Sequence, residues 1–90
     1  MAYVYIILCE NNSYYTGYTT DIDRRFEAHK SGKVKYTRAF KPVKILQSWK
    51  FESKSEAMKV EYWIKQKSRK QKEEFVKNPK SLISQYNMNK

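Results

Sequence analysis

Ninety residues are enough for one domain with a modest core, because a chain this short buries only about two thirds of its unfolded surface. Nineteen Lys and Arg against nine Asp and Glu give a net charge of +10, spread along the chain rather than gathered in a tail, which points to a polyanionic partner, nucleic acid first. Cys9 is the single cysteine, so a disulfide framework is excluded, and the opening MAYVYIILC has neither a leader's basic start nor the length to span a bilayer; a cytoplasmic protein, free or nucleoid-associated and with no membrane contact, is expected.

Ala2 to Cys9 is almost continuously apolar, with β-branched and aromatic residues, the pattern of a central strand covered on both faces. Glu10-Asn11-Asn12-Ser13 supplies turn residues and Tyr14 to Tyr18 is again β-prone, which predicts an antiparallel hairpin. A three-residue loop sets Cys9 against Ser13, and hence Tyr5 opposite Gly17 and Ile7 opposite Tyr15. Both tyrosines then emerge on one face, with Gly17 leaving room for the Tyr5 ring.

Thr20 and Asp23 form a capping-box-like start to a short helix that runs to about Ser31, where Gly32 is placed to close it in the left-handed conformation. At about 100° per residue, Ile22 and Phe26 share an apolar stripe that takes in His29, with Arg25 at its edge. Arg24 points away. Lys33 to Lys41 is expected to be an ordered basic loop ended by Pro42. Val43 to Phe51 alternates as a third strand, with Val43, Ile45, Trp49 and Phe51 on one face and Gln47 interrupting it.

Ser53 and Glu56 cap a second helix over Lys54 to Lys67 whose core stripe is Ala57, Val60 and Ile64. Glu61 lies about 40° from Ala57 and about 60° from Ile64, inside the sector that should face the sheet. A carboxylate there is costly unless it is paired or binds a metal. A third helix spans Lys70 to Asn78 and is stopped by Pro79. Residues 1–80 are therefore expected to form one domain, and 81–90 a frayed polar tail.

Tyr3-Val4-Tyr5, Tyr15-Thr16-Gly17, Arg25, His29 and Glu61, in this order and on these predicted elements, resemble the GIY-YIG nuclease superfamily, above all its small stand-alone bacterial members. YTGYTTDIDRRFEAH and the segment from Thr37-Arg38 to Pro42 are also similar to the catalytic domain of eukaryotic nucleases that cut branched DNA. Tyr3 stands where the family name has Gly and Thr16 where it has Ile; neither position would carry a reacting side chain. The resemblance implies an α+β fold, a three-stranded antiparallel sheet flanked by helices. It also implies a metal-dependent DNA endonuclease, structure-directed and serving repair or recombination, whose substrate is branched or contains single strands.

In that reading Glu61 holds Mg²⁺ or Mn²⁺, a hard cation content with one carboxylate, waters and phosphate. Arg25 grips the scissile phosphate through its fork of donors. Tyr5 orients or deprotonates the attacking water with Tyr15 beside it, and His29 shares the proton transfer or holds the phosphate; sequence leaves open which of Tyr5 and His29 takes the proton. Lys33, Lys35, Arg38, Lys65, Lys67, Arg69 and Lys70 are candidates for sequence-independent contact with the nucleic-acid backbone.

Each residue also has a plain structural role open to it. The tyrosines would be cross-strand packing, Arg25 a snorkelling cation, His29 a half-buried imidazole, and Glu61 a buried partner of Arg25. The matching alternative in function is a nucleic-acid binding or adaptor module that keeps the fold and cuts little, with a protein partner supplying what it lacks.

Overall fold

The β1–β2 hairpin follows the expected register. In the computed structural model, which describes residues 1–88, strand β1 (Ala2–Cys9) pairs antiparallel with β2 (Tyr14–Thr19), placing Tyr5 against Gly17 and Ile7 against Tyr15. Cys9 N–H donates to the Ser13 carbonyl at 2.9 Å, and Asn12 takes the positive φ of 66° that the tight loop requires and Asn tolerates. Strand β3 (Pro42–Phe51) pairs with the other edge of β1, giving one antiparallel sheet in the order β2-β1-β3. Helices cover both faces, so the architecture is α+β as expected.

Alternation along β1 divides its side chains between two cores. Ala2, Val4 and Ile6 meet Trp49 and Phe51 of β3 and, from α3 (Lys54–Lys65), Ala57, Val60 and Ile64; Phe75 and Leu82 complete this larger cluster. Val60 and Ile64 are fully buried, each worth about 1.5–3 kcal/mol on transfer from water. Tyr5, Ile7 and Cys9 point to the opposite face, where Ile22 and Phe26 of α1 (Ile22–Lys30) pack on them with Tyr15 and Ile45. Cys9 is a buried small hydrophobe, and burial pushes its thiol pKa up.

Several local expectations are corrected. The N-cap of α1 is Asp21, whose side chain accepts from Arg24 N–H at 3.1 Å, while Thr19 rather than Thr20 supports the turn by accepting from Asp21 N–H. Gly32 does adopt φ 80° after the Ser31 C-cap. The basic segment expected to be a loop holds a short helix, α2 (Lys35–Ala39), which buries Thr37.

In β3 the register shifts between Ile6 and Ile7 and again between Leu8 and Cys9, so Leu46 and Val43 are extra residues. Such bulges reverse the facing of the residues beyond them. Ile45 therefore packs on the Tyr5 side of the sheet, not with Trp49 and Phe51, and Val43 is exposed.

The frayed tail is corrected most fully. After α4 (Arg69–Lys77), residues Pro79–Met88 form a further helix, α5, whose Leu82 is fully buried against the larger core, and the Trp49 indole N–H donates to the Pro79 carbonyl at 2.9 Å. Pro79 thus ends one helix and begins another, as its fixed φ permits at a first helical position. The last two residues of the expected tail, 89 and 90, lie outside the described residues. Among the described residues no helix is long and apolar enough to cross a membrane.

Candidate active site

The open edge of the sheet at β2 is where α1, α2 and α3 bring their functional side chains together. Tyr5 is seated by Gly17: a Cβ at that position would lie 2.5 Å from the tyrosine Oη and 2.7 Å from its Cζ, so only a residue without one lets the ring lie flat across the neighbouring strand. The Tyr15 ring lies 6.5 Å from it, centroid to centroid.

Helix α1 crosses this face with Arg25 and His29 one turn apart. His29 is fully buried, and its Nε2 lies 2.8 Å from Tyr5 Oη and its Nδ1 2.8 Å from Thr37 Oγ1. Arg25 Nε donates to Tyr5 Oη at 3.2 Å. The proton positions follow from the outer partners. Thr37 Oγ1 donates to the Val34 carbonyl at 3.4 Å, so it accepts from His29 Nδ1–H, which leaves the Nε2 lone pair to accept the Tyr5 hydroxyl proton. A single chain of donors runs from Arg25 through Tyr5 and His29 to Thr37.

The protonation states agree with this chain. Burial is the main cause that pushes Tyr5 up to about 12, against the lowering influence of the Arg25 hydrogen bond and charge, with Tyr15 and Glu61 adding to the rise. His29 is pushed down to about 4 by burial first and then by the Arg25 charge, so it is a neutral imidazole at pH 7. Arg25 is held more firmly protonated by its hydrogen bond to Tyr5.

Arg25 also lines two shallow clefts, one with Tyr18, Thr19, Thr20 and Lys54 and one with Asp21 and Ala28. Part of Arg25 therefore faces accessible space. Arg24 is exposed, as the helix phase required.

Glu61 reaches the same edge from α3, on the far side of the sheet, close enough that its charge contributes to the Tyr5 shift. Its side chain is 18% exposed and its ion-pair partner is Lys65 at 3.7 Å, one turn along α3, rather than Arg25. The alternative of a buried Arg25–Glu61 pair is set aside by this geometry. A partly exposed i,i+4 pair is worth only about 0.3–0.5 kcal/mol, which a divalent cation would displace readily. Among the described residues no three His, Cys, Asp or Glu side chains gather to hold a metal. One carboxylate at an open edge nevertheless suits Mg²⁺, which keeps most of its waters and takes phosphate oxygens as its other ligands.

The expected backbone-contact residues divide. Lys33, Lys35, Arg38, Lys65 and Lys70 are exposed, with Lys65 Nζ 5.9 Å from the Tyr15 ring centroid. Arg69 is engaged in the fold instead: its Nη1 donates to the Asn12 carbonyl at 2.6 Å, its Nε to Glu73 at 3.3 Å, and its guanidinium sits 3.7 Å from the Tyr14 ring centroid. Lys67 lies over the Trp63 ring at 4.4 Å. Thr37 is a site residue that sequence reasoning does not single out for chemistry, although it opens the segment that runs to Pro42. Its signal is a small hydroxyl among basic residues, which has no meaning until α2 folds against α1.

A family model for the GIY-YIG catalytic domain matches residues 1–74. The chain belongs to the GIY-YIG family. Its relatives include UPF0213 protein BH0048 of Halalkalibacterium halodurans, 53% identical over 82% of this chain and 80% of that protein. A UPF0213 protein of Halobacterium salinarum is 54% identical over 81% of this chain and 96% of its own length. The solution NMR structure of the BH0048 protein superposes with a TM-score of 0.56 at 52% identity, covering 86% of this chain and 84% of that one. That of EF2693 from E. faecalis gives 0.57 at 43% identity, covering 83% and 81%. The catalytic-domain match makes nuclease activity the natural hypothesis for this GIY-YIG chain, and the fold it shares with the UPF0213 structures is the three-stranded α+β sheet described above.

Proposed function

We propose that the protein is a metal-dependent DNA endonuclease acting on structured DNA in repair or recombination. The observation that supports this best is the Arg25–Tyr5–His29 hydrogen-bonded chain at an open sheet edge, with a single carboxylate within electrostatic reach. Packing alone does not call for a buried imidazole and phenol joined to an arginine that also faces a cleft.

Tyr5 would orient the attacking water and take its proton while passing its own along the existing bond to His29 Nε2, and His29, held by Thr37, would store it. The low proton affinity of His29 opposes this step in the free protein. An anionic phosphate bound at Arg25 would offset the Arg25 charge, the second cause of that depression after burial, so substrate would ease the proton transfer. Arg25 would hold the phosphate and offset charge developing on the phosphorane. A divalent cation on Glu61, Mg²⁺ or Mn²⁺, would supply Lewis-acid stabilisation of the leaving oxygen. Exposed Lys33, Lys35, Arg38, Lys65 and Lys70 would carry the backbone of the DNA.

The test is a panel of hairpin, flap and four-way-junction DNA incubated with Mg²⁺ or Mn²⁺, using wild type and Glu61→Gln. Cation-dependent cleavage by wild type that is lost in Glu61→Gln, with the melting temperature little changed, is the expected result. DNA binding without cleavage on any substrate would leave the protein a binding or adaptor module.

A further inference from the structure

A file of aromatic rings leads away from the candidate reaction centre along α2. The Tyr15 ring, 5.0 Å from His29, is followed by Tyr36 at 5.7 Å and then Phe40 at 5.4 Å. Tyr15 belongs to the site already described, but Tyr36 and Phe40 do not, and both are more than a third exposed. Tyr36 on α2 and Phe40 at its C-cap thus leave two neighbouring large rings partly in water.

The first of them is held in position nevertheless. The Tyr36 hydroxyl donates to Ser13 Oγ at 2.8 Å, which ties α2 to the β1–β2 loop and fixes the ring plane. Beside these rings lies an open cleft lined by Lys35, Tyr36, Arg38, Ala39 and Phe40, so two cations flank an apolar floor. Flat apolar rings bordered by fixed positive charge, continuous with a site that would hold a phosphate, match a nucleotide: the base stacks and its neighbouring phosphates meet Lys35 and Arg38.

We infer that Tyr36 and Phe40 form a stacking site for an unpaired DNA base at the far end of the ring file that begins at His29. Bases inside a duplex have both faces covered by their neighbours and cannot occupy it. The protein therefore favours DNA with at least one unpaired nucleotide. The inference rests on the nuclease reading only in taking the file to begin at the reaction centre, and it can be tested without cleavage.

The measurement is fluorescence anisotropy in EDTA, comparing a short oligo-dT with an abasic strand of equal length and equal phosphate number. Wild type should bind oligo-dT about tenfold more tightly than the abasic strand, as expected for stacking on an aromatic ring. Phe40→Ala should lose most of that advantage while its affinity for the abasic strand is unchanged, and Phe40→Trp should restore it. Equal wild-type affinity for the two strands, or an equal loss for both in Phe40→Ala, would overturn the proposal and leave the cleft to a protein partner. A protein that discriminates between the strands but never cuts would keep this site and remove the nuclease reading. One that cuts without discriminating would do the reverse.

Discussion

Gly17 lies directly beneath the Tyr5 ring, with the space for its missing Cβ 2.5 Å from the tyrosine hydroxyl. The hydroxyl that joins Arg25 to His29 thus depends on an atom that is absent from the neighbouring strand. Gly17→Ala should keep the sheet but push the ring aside by about the margin of the overlap, and displacement of a reacting group on that scale costs about 100-fold in rate. Cleavage on the best substrate of the panel, measured beside a melt, checks this: a folded Gly17→Ala protein of undiminished activity would show that the Tyr5 position is unimportant.

Arg24 and Arg25 are adjacent and identical in chemistry, yet only Arg25 bonds to Tyr5. Arg25→Ala should reduce cleavage by about 100-fold or more, the scale of a lost oxyanion donor, while Arg24→Ala retains most activity. Arg25→Lys should rescue poorly, because an ammonium has no planar fork to serve Tyr5 and a phosphate together. Equal losses at the two positions would contradict the assignment.

His29 links stability to pH. Its proton is bound only near pH 4 in the native state and near 6.5 when unfolded, so between these values the unfolded chain takes up a proton that the native one refuses. The contribution is fully present above about pH 6.5 and falls as pH drops towards 4, by on the order of 3 kcal/mol in all. Urea unfolding at several pH values should show the slope, and His29→Gln should lack it. An identical slope in that variant would place its origin in another group.

Arg69 should act on folding rather than on DNA. Removing its bonds to Asn12 and Glu73 and its place over Tyr14 would cost about 1–2 kcal/mol, most of it from the short bond to the loop carbonyl. Lys70→Ala, on an exposed side chain, should leave stability alone and weaken DNA binding slightly. Denaturant melts and salt-dependent binding of both variants would separate the two roles, and a stable Arg69→Ala protein with weakened DNA binding would reverse them.

The sequence by itself determined whatever depends on near neighbours. A three-residue loop fixed the Tyr5–Gly17 register, the 3.6-residue period put Arg25 and His29 on the inner side of α1 with Arg24 outside, and Ser53 with Ala57, Val60 and Ile64 defined α3. Tertiary structure decided the rest. The shifts that turn Ile45 towards Tyr5 arise where β3 must fit both cores at once, and strict alternation cannot reveal them. Segments too short or too polar to hold a helix alone, α2 and α5, become helical because docking buries Thr37 and Leu82, a free energy that comes from distant partners and not from local propensity. The i,i+4 pairing of Glu61 with Lys65 is local to α3, but that Arg25 is not its partner, and that the second partner of His29 is Thr37, are set by how the layers pack.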